Sequence, residues 1–220
     1  MTHYSERFQI TVNNNLHYPT FYKELTTMAN EFYALLGRMR YITRWGLMRN
    51  SFSENIQEHS HQVAVLSHAL ALIRRDILHL PCPDPDRCAV AALSHDASEI
   101  LPGDLPTPIK YYSLTIRDAY KQVEHIAGEQ LLDMLPQQLR QSYVDFIHES
   151  DEAVNPIVKA ADKLSAYIKC VEEQKAGNME FESAAAQTMA SMHAMERPEL
   201  EWFIYHCLPA FSQNLDELGM

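Results

Sequence analysis

IVKAADKLSAYIKC, residues 157–170, decides the class of fold. Ile157, Ala161, Leu164 and Ile168 recur at steps of three and four, the spacing that lines one face of an α-helix. The pattern holds from about residue 153 to 175 and ends at Gly177-Asn178, a helix-stopping pair. Asp162 stands inside it, with small Ser165 and Ala166 on its own side of the stripe. An aspartate within a helix is mildly unfavourable by propensity. If half buried, its charge requires a partner; the plain alternative is a solvated acid beside Lys159 or Lys163.

The same period recurs along the chain. Phe21, Leu25, Met28, Phe32, Leu35 and Met39 predict a helix over 21–40, and Val63, Leu66, Leu70 and Ile73 another over about 58–78. Residues 41–57, with Gly46, Asn50 and Asn55, read as a loop. PCPDP (81–85) breaks the chain, and Asp84 or Asp86 can cap a helix that runs on through SHDASEIL (94–101). PGDLPTP (102–108) carries three prolines and a glycine and reads as non-helical. Further helices are predicted at about 114–134, 137–149 and 179–194, with a short one from Glu199. No run alternates β-branched residues. The expectation is an all-α, single-domain helical bundle over 21–220, preceded by a poorly patterned N-terminal extension, 1–20.

Composition narrows the function. The 220 residues are 46% hydrophobic and 21% charged, which is globular and not disordered. Eighteen Lys and Arg stand against 29 Asp and Glu, a net charge of −11. Such a chain repels duplex nucleic acid and anionic lipid, because both are bound largely by phosphate neutralisation. A phosphate-bearing substrate then requires local cations. No apolar run approaches the roughly 18 residues of a membrane helix, and residues 1–15 lack the basic-then-apolar order of an export signal. Cysteines 82, 88, 170 and 207 include no CxxC pair, so four reduced thiols and a cytoplasmic location are expected.

Eleven histidines are many for this length. His95-Asp96 falls late on a predicted helix among Ala89, Ala91, Ala92, Ser94, Ala97 and Ser98, neighbours small enough to leave room for an ion. Glu99, four residues after His95 and three after Asp96, joins them on one side of that helix. A bare His-Asp pair is a weak motif; two carboxylates and an imidazole together suit a divalent cation better than a core. His59 opens a helix, and His61 points about 200° away from it, so both cannot face one ion. Spacing alone leaves His59 either a ligand or part of an exposed polar turn. Arg44 is a candidate phosphate grip, since guanidinium meets phosphate with two donors; the plain alternatives are a surface charge for Arg44 and a loop anchor for Trp45.

His59, His95-Asp96 and Asp162 resemble the H…HD…D signature of the HD-domain metal phosphohydrolases, an all-α superfamily. RWGLMRN (44–50), ENIQEHSHQVAVLSHALA (54–71), HDASEILPGDLPTPIKYY (95–112) and KAADKLSAYIKCVEE (159–173) are similar to the bacterial 5′-deoxyribonucleotidases of the YfbR type, over about residues 41–215. The HDASE…GDLPTP block is the specific part.

That resemblance implies a homodimeric enzyme with one divalent metal ion (Mn, Co, Zn or Mg) that removes phosphate from deoxyribonucleoside 5′-monophosphates. It implies His59, His95, Asp96 and Asp162 as metal ligands, with His59, Asp96 and Asp162 also bordering the substrate. Glu99 matches the group that activates the attacking water. Arg44 matches the residue that orients phosphate, and Trp45 one that contacts the sugar and disfavours a 2′-hydroxyl. Asp104, Leu105, Pro106 and Thr107 match the substrate loop, with Asp104 a proton donor to the leaving 5′-oxygen. Gly46 stands where the resemblance leads one to expect proline. The alternatives are another HD-type enzyme acting on a triphosphate or on guanosine tetraphosphate, or a non-catalytic metal-binding helical protein. A dinuclear phosphodiesterase requires more histidines between the HD pair and Asp162 than His125 and His148.

Overall fold

Asn55 starts the helix at the centre of the principal core. Its side chain accepts from the Glu58 amide while the Glu58 carboxylate takes the Asn55 amide, a reciprocal cap that satisfies two open donors of α2 (Ile56–Leu72). The computed structural model describes residues 30–110 and 112–219. Before α2 come a short helix α1 (Phe32–Leu36) and a 3-10 turn (Gly37–Tyr41). Loop 42–55 then closes on itself through an isolated antiparallel bridge between Thr43 and Asn55, the Arg44 amide donating to the Glu54 carbonyl at 2.9 Å. Among the described residues there is no strand beyond this bridge; every other element is helical.

Helix α3 (Pro85–Leu93) is capped by Asp84 and carries Pro85 in its first turn, where a missing amide hydrogen does no harm. It lies along α2, followed by α4 (Thr107–Lys110), α5 (Leu114–Asp133), α6 (Gln137–Ile147), α7 (Asn155–Lys175), α8 (Glu182–His193) and α9 (Pro198–His206). The principal core joins α2, α3 and α7. Val63, Leu66 and Leu70 meet Cys88 and Ala92 and the stripe Ile157, Ala161, Leu164 and Ile168, and Met192, Leu200 and Phe203 close it from α8 and α9. Each large aliphatic side chain so buried contributes about 1.5–3 kcal/mol. The alanines of α3 let its backbone approach α2 closely, which brings the end of α3 beside the start of α2. A second cluster, Phe32, Ala97, Leu131, Leu132, Leu135 and Ile147, packs under α5 and α6.

The all-α expectation is met, with local corrections. His95, Asp96 and Glu99 are not on one helix: α3 ends at Leu93, and Glu99 lies in a 3-10 turn, Ala97–Ile100. The reason is at hand, because the His95 ring takes the Ala92 carbonyl, one of the acceptors a helix end leaves open. Residues 102–108 are not wholly non-helical, since α4 starts at Thr107; Pro106 offers its carbonyl to the Ile109 and Lys110 amides, and proline is tolerated at a helix start. The 58–78 helix starts two residues earlier and ends in a π-turn, Ile73–Ile77. Of the predicted 21–40 helix, the described part is α1 and its 3-10 turn, preceded by Asn30 and Glu31, which are not helical; residues 21–29, and the 1–20 extension, lie outside the described residues.

Candidate active site

Two imidazoles meet where the N-terminal end of α2, the end of α3 and the middle of α7 converge. His59 is fully buried. Its Nδ1 lies 3.1 Å from Ser165 Oγ, and Ser165 donates its own hydrogen to Gln62 Oε1 at 2.6 Å. The serine oxygen is therefore the acceptor for His59 Nδ1–H, and Nε2 keeps its lone pair. That lone pair faces Asp162 Oδ1 at 3.1 Å and Asp96 Oδ2 at 3.7 Å. His95 repeats the arrangement: Nδ1–H donates to the Ala92 carbonyl at 2.7 Å, leaving Nε2 buried, without a hydrogen bond among the described residues and 3.2 Å from Asp96 Oδ2.

Lone pairs aimed at carboxylate oxygens repel unless positive charge stands between them. At His95, without another cation, a proton fills this need. Burial works against a charged His95 ring, but the adjoining Asp96 outweighs it and pushes the ring up to about 10. Asp96 and Asp162 are held well below the carboxylate range against the effect of burial, Asp96 by His95, His59 and Arg44, Asp162 by His59. A divalent cation meets the same need. The donor atoms of His59, His95 and Asp96 lie within 4.8 Å of one another, so the three together can hold one, and imidazole nitrogens with carboxylate oxygens suit a borderline or hard ion.

Arg44 reaches this cluster from the 42–55 loop. Its Nη1 donates to Asp96 Oδ2 and its Nε to Glu54 Oε2, both at 3.3 Å, with only 14% of the side chain exposed. Burial disfavours the charge, but Asp96, Asp162 and Glu54 raise its pKa and keep the guanidinium protonated. Trp45 follows at φ 58°, rare for a bulky residue. Its indole packs on Phe181 at 5.3 Å between centroids, and its Nε1 donates to the same Glu54 Oε2 at 2.9 Å. The far side of the loop is tied to α7: buried Glu173 accepts from the Ser51 amide and Lys169, and Lys169 also donates to the Phe52 carbonyl at 2.7 Å.

Glu99 closes the third side. It is buried, its Oε2 has no hydrogen-bond partner among the described residues, and burial with the nearby Asp96 and Asp104 charges pushes its carboxyl up to about 9. Gly103, at φ 82°, turns the chain back after Glu99, which only glycine does without strain. Tyr120 of α5 donates to the Gly103 carbonyl at 2.9 Å and fixes that turn. Asp104 follows, half buried, its pKa raised by burial against the pull of Arg44; Leu105 and Pro106 are half buried, and Thr107 opens α4.

Residues 31–211 match the family model described as "5′-deoxynucleotidase YfbR-like". The chain belongs to this family. It is 46% identical to a 5′-deoxynucleotidase of Erwinia tasmaniensis over 192 residues, which covers 86% of this chain and 96% of the relative. It is 44% identical to one from Vibrio parahaemolyticus, covering 86% and 98%. An HD-domain phosphohydrolase from Listeria innocua superposes with a TM-score of 0.71 at 20% identity, over 82% of this chain and 88% of that one. An HD phosphohydrolase of cyanophage S-2L, solved with dA and one catalytic Zn²⁺ ion, superposes at 0.57 with 18% identity, over 80% and 95%. These last two likenesses are of fold.

Against this family background, the residues singled out from sequence gather as follows. His59, His95 and Asp96 form one group, Asp162 adjoins it through His59 without belonging to that three-residue set, and Arg44 and Glu99 border it. Asp162 is 35% exposed and beside His59, not a solvated partner of lysine. Arg44 is not a surface charge. His61 is exposed, facing away as its spacing requires. Sequence reasoning missed Glu54, Gln62 and the role of Ser165, which it took for a small neighbour only. Their signal is a hydrogen bond across 103 or 106 positions, or across ten within a loop, which no local pattern carries.

Proposed function

We infer that this 5′-deoxynucleotidase family member hydrolyses deoxyribonucleoside 5′-monophosphates to nucleoside and inorganic phosphate, with one divalent cation held by His59, His95, Asp96 and Asp162. The observation that carries the reading is the pair of imidazoles whose Nδ1 hydrogens are committed elsewhere, leaving both Nε2 lone pairs among carboxylates. When bound, the cation supplies Lewis acidity toward the phosphate and lowers the pKa of a water. Mn²⁺, Co²⁺, Zn²⁺ and Mg²⁺ all suit the donor set to some degree.

The chain's own residues then divide the work. Arg44 faces the charge that grows on the equatorial phosphate oxygens, and its position between two carboxylates keeps it charged and oriented. Glu99 takes a proton from the attacking water, for which its carboxyl must be ionised. Its raised pKa is matched to a base working near neutral pH once positive charge stands in the site. The new bond joins the water oxygen to phosphorus and the P–O5′ bond breaks. Asp104, or solvent, returns a proton to O5′; a carboxyl raised by burial is suited to that role. Trp45 lies against the sugar and disfavours a 2′-hydroxyl, and Asp104 to Thr107 cover the nucleotide, with His59, Asp96 and Asp162 bordering its phosphate.

The proposal extends to a homodimer in the cytoplasm, binding neither duplex nucleic acid nor membrane. Among the described residues no helix is long and apolar enough to cross a membrane. The catalytic domain is assigned to 21–220 with 1–20 as an extension, a span that contains the family match at 31–211 and the compact unit that starts at Glu31. The test is phosphate release from a panel of ribo- and deoxyribonucleoside monophosphates with each divalent ion, alongside Asp162→Ala. That variant is expected to lose bound metal and turnover together. Wild-type metal content and rate in it overturn the ligand assignment.

A further inference from the structure

Glu54 is not among the residues to which any role has been given, yet one of its oxygens holds two that are. Oε2 accepts from Arg44 Nε at 3.3 Å and from Trp45 Nε1 at 2.9 Å. The contact is built, not incidental. The Glu54 carboxylate is only 11% exposed, and the Glu54 carbonyl also accepts the Arg44 amide at 2.9 Å, so main chain and side chain fix the same register. Trp45 sits at φ 58°, a conformation a large side chain does not keep unless its surroundings impose it. Two restraints on the indole are visible: packing against Phe181 and the Glu54 hydrogen bond. Arg44 is held at Nε by Glu54 and at Nη1 by Asp96, and no hydrogen bond goes to Nη2 among the described residues. That nitrogen remains to meet a phosphate oxygen.

We propose that Glu54 is a positioning residue that couples the phosphate grip of Arg44 to the sugar platform of Trp45, so that sugar selectivity depends on its shared carboxylate oxygen. The inference rests on the roles of Arg44 and Trp45 proposed above. Because one oxygen serves both donors, neither the guanidinium nor the indole can shift without disturbing the other. A shorter carboxylate keeps the charge and loses the reach; an amide of equal length keeps an oxygen in place for the indole and loses the charge.

The experiment compares Glu54→Asp, Glu54→Gln and Trp45→Phe, with 2′-deoxyadenosine and adenosine 5′-monophosphate as probes. The readout is the ratio of kcat/KM between the two. Trp45→Phe and Glu54→Asp are each expected to lower this ratio by about five-fold or more, the scale on which one sugar hydroxyl is discriminated. Glu54→Gln is expected to keep it within about two-fold of the parent, whatever its effect on rate. A second readout is independent of turnover. The chain has two tryptophans, so in a Trp202→Phe background Trp45 is the sole reporter, and Glu54→Asp should shift its emission to the red. If Trp45→Phe lowers the ratio and Glu54→Asp leaves both ratio and emission unchanged, the coupling is overturned and the sugar reading stands. Equal loss on both nucleotides in Glu54→Asp, with emission unchanged, reduces Glu54 to structural support and also overturns it. An unchanged ratio in Trp45→Phe removes the sugar reading itself, and the inference falls with it.

Discussion

Ser165 lies 3.1 Å from His59 Nδ1, one helical turn beyond Asp162, which lies 3.1 Å from His59 Nε2. One face of α7 thus addresses both nitrogens of a single imidazole. The serine sets the tautomer and ring plane, and the aspartate shares the cluster. Replacing Ser165 with Ala removes an acceptor from a fully buried site while leaving the packing volume almost unchanged. The expected outcome is a native-like fold with about ten-fold weaker binding of Mn²⁺ or Zn²⁺, read by calorimetric titration. Unaltered affinity shows that the ring is held without the serine.

Glu99→Gln separates ion binding from proton transfer. Glu99 lies beside the His59–His95–Asp96 group without being part of it. Metal content should stay at the parental level while kcat falls by about 10²-fold or more, the usual scale for losing a general base. Parental kcat in this variant removes Glu99 from the chemistry.

Metal uptake should depend on pH with a definite sign. In the cation-free protein the Asp96 charge, outweighing burial, raises His95 to about 10, so near neutrality its ring carries a proton. A cation taking Nε2 must displace that proton. Apparent affinity therefore rises with pH, by at most about ten-fold per unit for one displaced proton, while pH is below the raised value. Titration of the metal in two buffers of different ionisation enthalpy reports the protons released. Zero release contradicts the protonated ring.

A second pH effect is on stability and comes from the loop anchor. Burial favours the neutral form of Glu173, but Lys169, the Ser51 amide and Asn178 outweigh it and bring its carboxyl down to about 2. A depressed carboxyl stabilises the fold above its ordinary value, and the contribution fades as pH falls from about 4.5 toward 2. Denaturant unfolding as a function of pH should show that loss, and Glu173→Gln should flatten it. An identical acid limb in parent and variant assigns the acid sensitivity to other groups.

Much of the architecture is legible in the order of residues. The stripe Ile157, Ala161, Leu164 and Ile168 is the face that α7 buries, and Gly177 follows its end. Pattern reading fails where side chains take over main-chain acceptors. Counting by helical period puts His95, Asp96 and Glu99 on one face, but the His95 ring captures the Ala92 carbonyl and the chain leaves the helix before Asp96. The prolines of 102–108 suggest a helix-free stretch, yet those at a helix start are harmless, and α4 begins at Thr107.

The same division holds for the site. His59, His95, Asp96, Asp162, Arg44 and Glu99 can be nominated from residue type, small neighbours and motif, because those are properties of short segments. Which nitrogen of each histidine is free, that Arg44 is buried between two carboxylates, and that Glu54 joins it to Trp45 follow only from packing. Helical period is imposed by backbone geometry every few residues and is therefore written locally. A hydrogen bond between residues 106 positions apart exists only after the core of α2, α3 and α7 has brought them within 3.1 Å, and no local rule contains that distance.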